Sequence, residues 1–144
     1  MNPSRVVSPG EASSLIERGY QYLDVRSEAE FEAGHPPGAF NVPLLRAGEG
    51  GLESNADFVS VVTAVFSTSQ PLLVGCKSGG RSRRAIEMLE AAGFVDLADL
   101  GAGWDGKRDA FGRLQPGWSR AGLPVECGQP HGRAYADLKN RKAT

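Results

Sequence analysis

The apolar run Leu72-Leu73-Val74 passes directly into Gly75-Cys76-Lys77-Ser78-Gly79-Gly80-Arg81-Ser82, and this junction limits the possible folds more than any other stretch. A short continuous apolar run suits a strand covered on both faces, as in a parallel sheet flanked by helices. Beyond the loop, Ala85, Ile86, Leu89 and Ala92 share one helical face that Gly93 closes. Strand, glycine-rich turn and helix in that order put the turn outside the carboxyl end of a strand. Open α/β sheets form their sites there.

The rest of the chain repeats the alternation. Ser8-Pro9-Gly10-Glu11 and Ser27-Glu28-Ala29-Glu30 both have capping-box form. The first opens a helix with Ala12, Leu15 and Ile16 on one face, ended by Gly19; the second opens a short helix ending near Gly34. Between them, residues 20–25 suit a short buried strand, and Phe40-Asn41-Val42 suits another. Phe58, Val61, Val62, Val65 and Phe66 follow the helical i, i+3, i+4, i+7, i+8 template. A last strand is expected over 94–100, and the helix after the glycine loop is expected to begin near Ser82. The expected fold is α/β, a mostly parallel central sheet of about five strands with helices on both faces.

Length and charge remove several classes. The 144 residues allow one ordinary domain, and no apolar stretch approaches the ~20 residues of a membrane span. A formal charge of −1 gives no general attraction to nucleic acid or anionic lipid. Met1-Asn2-Pro3-Ser4-Arg5 has no apolar segment after its basic residue, so the expected location is cytoplasmic. Cys76 and Cys127 are too few for a disulfide framework or for a zinc site of their own. Nineteen glycines, about twice the usual share, cluster at 48–51, 75–80 and 101–106.

The loop at 75–82 carries the chemistry. Its glycines allow successive N–H groups to point at one centre, and the following helix adds its positive dipole end. Lys77, Arg81, Arg83 and Arg84 supply four cations before the first acid, Glu87. That setting favours a thiolate at Cys76 over a thiol. A cysteine followed by an arginine across a ring of amides can attack phosphorus or sulfur, and residue types alone do not separate the two.

Cys76-Lys77-Ser78-Gly79-Gly80-Arg81-Ser82 resembles the active loop of the rhodanese (thiosulfate sulfurtransferase) family. Tyr22-Leu23-Asp24-Val25-Arg26, Glu30-Phe31 and Gly34-His35-Pro36-Pro37-Gly38-Ala39-Phe40-Asn41-Val42-Pro43 are similar to its upstream signature. Gly101-Ala102-Gly103-Trp104 resembles its glycine-tryptophan segment. Pro36 and Ala102 depart in small ways, where an aliphatic residue and a glycine are usual. The resemblance spans about residues 7–125 and implies the single-domain form, with 1–125 as the domain and 126–144 as a polar, basic tail.

Family members that transfer sulfur have four residues between cysteine and arginine, and their phosphatase and arsenate-reductase relatives have five. Here there are four, Lys77 to Gly80. The implied activity is thiosulfate sulfurtransferase, with Cys76 as nucleophile and Lys77, Ser78, Gly79, Gly80, Arg81 and Ser82 forming the binding loop. The implied partners are a small-molecule sulfur donor and acceptor, or a thiol or sulfur-relay protein. Neither cofactor nor metal is implied. A small cysteine-dependent phosphatase or arsenate reductase is the alternative enzyme, and a sulfur-relay or redox-sensing module without turnover is the third reading.

The remaining polar residues have plainer roles. Asp24 and Arg26 are expected to pair and support loops, and His35 to pack in a turn. Arg46 is expected to be a solvated surface arginine and Trp104 to pack under the sheet edge, with the wall of the pocket as the second reading for both. Cys127 is expected to be a bystander in the tail. The segment from Pro124 onward is read as peripheral, with at most a short helix near 135–139; Arg133, Lys139, Arg141 and Lys142 against Glu126 and Asp137 are too few cations for nucleic acid.

Overall fold

A computed structural model describes residues 5–141, so the readings that rest on Lys142 and on the first four residues lie outside it. Five strands form one sheet in the order β1 (Arg5–Val7), β7 (Leu97–Leu100), β6 (Leu72–Gly75), β2 (Gln21–Asp24) and β3 (Phe40–Asn41). Every pairing is parallel. Side chains alternate across the sheet, as strand geometry requires. Leu23, Leu72, Val74 and Leu97 meet helices α3 (Phe58–Val65) and α4 (Gly80–Ala91) on one face. Tyr22, Leu73, Ala98 and Leu100 meet α1 (Pro9–Glu17) and α2 (Glu28–Ala33) on the other. The chain is α/β with helices on both faces.

Both capping boxes are complete. Ser8 and Ser27 each accept from the backbone N–H of Glu11 and Glu30, and those glutamates accept from the serine N–H in return. Gly19 follows the first helix in the left-handed region, with φ +105°, where a side chain would be strained.

Four expectations need correction. Strand β7 is shorter than 94–100 and is not the last, because the hairpin β8 (Gly106–Arg108) with β9 (Leu114–Pro116) follows. A second hairpin, β4 (Leu45–Gly48) with β5 (Gly51–Ser54), occupies the glycine-rich stretch around 48–51, for which no strand was expected. Both hairpins lie outside the main sheet and are largely exposed, so neither shows a buried alternation. Edge strand β1 is three residues long, too short to display a period.

The C-terminal segment is also less peripheral than expected. Helix α5 (Tyr135–Leu138) buries Tyr135 and Leu138 in the core with α3 and β3. Tyr135 accepts from Asn55 Nδ2 at 3.1 Å. Glu126 bonds both His35 and Arg133. Two spaced apolar residues in a polar stretch make a weak signal, and only the sheet edge they cover makes them core.

Candidate active site

Strand β6 is buried along its whole length and leads directly into Cys76, itself 1% exposed. The loop then turns through Gly79, whose φ of +106° lies in the left-handed region. A Cβ at Gly79 would also run into the Gly101 carbonyl oxygen. Glycine is therefore required there twice over. This turn lets α4 begin at Gly80, two residues before the expected start, and aims the Gly79 N–H at Cys76 Sγ over 3.0 Å. Among the described residues, this is the one backbone amide that bonds the sulfur.

The loop is held from outside. Trp104 N–H donates to the Cys76 carbonyl at 2.8 Å, and Asp105 N–H to the Lys77 carbonyl at 2.9 Å. These bonds anchor the first two carbonyls of the loop. Gly103, with φ +66°, packs directly on the same carbonyls, and a Cβ there would collide with them. The glycine-tryptophan segment thus acts as a backbone brace. Its side chain also forms part of a cleft of about 220 Å³ with Arg26, Glu30, Ala33, Lys77 and Asp105.

Arg81 faces sideways. Its guanidinium makes two bonds to Glu30, at 2.8 and 3.1 Å, tying the start of α4 to the start of α2. Burial would raise the Glu30 pKa, but the bonds from Arg81 and the Ser27 N–H outweigh it and hold it at about 2. The sequence singled out Glu30 as a cap and as part of the upstream signature; its bond to Arg81 needed the two helix starts to meet. Lys77 is exposed at the cleft, 3.8 Å from Asp105, and Ser78 is exposed on the loop's outer side. Ser82 is fully buried, its Oγ 3.5 Å from Cys76 Sγ and 2.7 Å from Asp99 Oδ1. Asp99, on β7, was not among the candidate residues.

Asp24 and Arg26 form a buried pair, with Nη2 at 2.6 Å and Nε at 2.9 Å from the carboxylate. Arg26 also donates to the Gly34 carbonyl and lies 4.9 Å over the Trp104 ring. Burial works against its charge, yet the Asp24 bond and charge prevail and its pKa is raised. Asp24→Ala would strand a buried guanidinium, so a loss of about 3–5 kcal/mol is expected in urea denaturation; a loss under ~1 kcal/mol contradicts the pairing. His35 is buried in a turn, stacked on Phe31, with its ring nitrogens against the Phe31 carbonyl and Glu126.

Arg46 is not brought to this cleft. It is exposed on β4 and lines a separate depression with Ser27, Glu28 and Tyr135. Cys127 is exposed, its Sγ 3.5 Å from the carbonyl of Ala33.

Glu126, like Glu30, is held at about 2, chiefly by its Arg133 bonds. Both carboxyls lie below their ordinary 4.5 in the folded chain. The stability they contribute is therefore whole above pH 4.5 and drains as pH falls towards 2. The urea midpoint of the chain should drop across that window, and that of the Glu30→Gln, Glu126→Gln double variant should drop less. Parallel curves would show that these pairs do not govern the acid limb.

Residues 8–109 match the rhodanese-like domain family. The chain belongs to that family. Thiosulfate sulfurtransferase 16, chloroplastic, of Arabidopsis thaliana is 38% identical over 121 residues, covering 84% of this chain and 92% of the relative. Thiosulfate sulfurtransferase GlpE of Haemophilus influenzae is 28% identical, covering 86% and 96%. Protein HIGH ARSENIC CONTENT 1, mitochondrial, of Arabidopsis thaliana is 35% identical, covering 69% of this chain and 59% of its own length. The crystal structure of Rv0390 from M. tuberculosis superposes with a TM-score of 0.71 at 26% identity, over 88% of this chain and all of that one. This rhodanese-like domain is thus similar to proteins named thiosulfate sulfurtransferase.

Proposed function

We propose that this rhodanese-like domain is a thiosulfate sulfurtransferase that carries a sulfane sulfur on Cys76. The observation that supports it best is the Gly79 N–H directed at a buried cysteine sulfur at the mouth of a parallel strand. In the first step the Cys76 thiolate attacks the outer sulfur of thiosulfate. The sulfur–sulfur bond of the donor breaks, sulfite leaves with the electron pair, and a Cys76 persulfide remains. In the second step a thiolate or cyanide attacks the terminal sulfur and Cys76 departs as thiolate. The free amides of the first turn of α4, among them Gly80 and Arg81, stabilise charge on the terminal sulfur without reorganising. Lys77, at the cleft, attracts the anionic donor.

Intact mass tests this directly. Incubation with thiosulfate should add one sulfur to the chain, and later addition of cyanide or a small thiol should remove it with turnover. Addition without removal would favour a relay module that hands sulfur only to a protein. A relative named for arsenic content supports a second reading, in which the loop handles an oxyanion. Arsenate or aryl-phosphate turnover by the native chain would favour it, and the four-residue spacing between Cys76 and Arg81 speaks against it.

A further inference from the structure

The Cys76 sulfur rests against a buried polar chain that the sulfur-transfer steps leave unused. Ser82 Oγ lies 3.5 Å from Cys76 Sγ and 2.7 Å from Asp99 Oδ1, with the Gly79 carbonyl at 3.1 Å as a further neighbour. Ser82 is fully buried and Asp99 is 7% exposed. A serine hydroxyl has one hydrogen to donate and can accept at the same time. Its hydrogen therefore goes to one side of the chain, and the other side sees its lone pairs.

We propose that Asp99 is a positioning residue that takes up, through Ser82, the proton released when the Cys76 thiol becomes a nucleophile. With Asp99 ionised, Ser82 donates to the carboxylate and accepts from the thiol S–H. On activation the S–H bond breaks and its proton passes to Ser82 Oγ, while the Ser82 proton passes to Asp99. The products are a thiolate, a hydroxyl and a carboxylic acid; no electrons are exchanged and no proton is lost to solvent. Asp99 now donates to Ser82 Oγ, and the Ser82 hydrogen turns to the charged sulfur. A charged acceptor is roughly twice as strong as the neutral Gly79 carbonyl. When an acceptor removes the sulfane sulfur, the same chain can return the proton to Cys76.

The surroundings suit this role. Burial raises the Asp99 pKa, and it prevails over the Ser82 bond and the charges of Lys107 and Arg83, which act the other way. Lys107 approaches from β8 and Arg83 from α4. Tyr22, on β2, is raised well above its ordinary value, first by burial and also by the charges of Asp24, Cys76 and Asp99, with Arg26 acting the other way. Arg81 senses Cys76 but is engaged by Glu30. On β1 and β6 the register neighbours of Asp99 are Val6 and Val74, which offer no proton.

The inference rests on Cys76 as the nucleophile, yet its test needs no turnover. The full chain carrying Cys127→Ala is titrated by the ultraviolet absorbance of its thiolate, with a Cys76→Ala, Cys127→Ala chain as baseline. Two groups that share a proton titrate as a pair, in two steps separated by more than about one pH unit. The expected result is a two-step rise in thiolate for the chain with Ser82 and Asp99 intact. Adding Asp99→Asn, which keeps size and an acceptor but takes no proton, should collapse it to one step. Adding Ser82→Ala, which cuts the link and leaves the carboxyl, should also give one step. A single step in the intact network, or two steps that survive Asp99→Asn, overturns the proposal. Two steps that survive Ser82→Ala overturn the route through Ser82. Loss of thiosulfate turnover in the native chain would count against the proposed activity and leave this titration unaffected.

Discussion

Cys76→Ala should abolish sulfur transfer and leave a folded chain. In the proposed mechanism the sulfur is the atom that attacks, carries and releases, so no other group would replace it in either displacement. Cys127 is not expected to substitute, because it is exposed and lies against the Ala33 carbonyl. The structural cost is small. Cys76 is one buried residue of a core that also holds Leu72, Val74, Ala85 and Leu89, and removing one sulfur should cost about 1 kcal/mol. Thiosulfate:cyanide turnover and the gain of one sulfur in intact mass should both vanish, whereas Cys127→Ala should keep most of each. Comparable turnover in the Cys76 variant would remove the nucleophile assignment.

Insertion of one glycine after Gly79 should cost nearly as much and test a different idea. The Gly79 amide reaches Sγ because its left-handed turn is wedged under Gly101 and leads at once into α4. A fifth residue lengthens the arc while Trp104 and Asp105 still anchor its first two carbonyls. The amides then retreat from a position that fits one sulfur and open space for several oxygens. Loss of one preorganised donor typically costs about 10²–10³-fold in rate. A loss of that order in sulfur transfer is expected, with tighter binding of phosphate or arsenate by calorimetry. Undiminished transfer with no gain in oxyanion affinity would show that spacing does not select sulfur here.

Local signals in the sequence are explicit wherever a short stretch satisfies itself. The two capping boxes are legible because each closes within four residues, Ser8 to Glu11 and Ser27 to Glu30. Strand β6 is legible because a central parallel strand is apolar at every position, and Cys76 follows from its place between that strand and a glycine-rich helix start. The exposed hairpins and the three-residue edge strand were not legible, since they have neither a buried face nor enough length to show a period. The C-terminal helix was misjudged as peripheral because Tyr135 and Leu138 become core only against a sheet edge far away in sequence.

The sequence by itself determined the α/β order of elements and the place of the Cys76 loop between a buried strand and a helix, because backbone freedom at glycine and unbroken burial of a strand are local properties. Tertiary structure decided where each charge points. Arg81, read as a cation of the loop, is turned aside by Glu30 from another helix. Arg46, whose second reading was the wall of the pocket, lies exposed by a different depression. Asp99, an acid within a buried strand, reaches the sulfur only through Ser82, seventeen residues away. A long or buried charged side chain is placed by the partner that offsets its desolvation, and partners separated by 17 to 51 residues meet only once the sheet has formed.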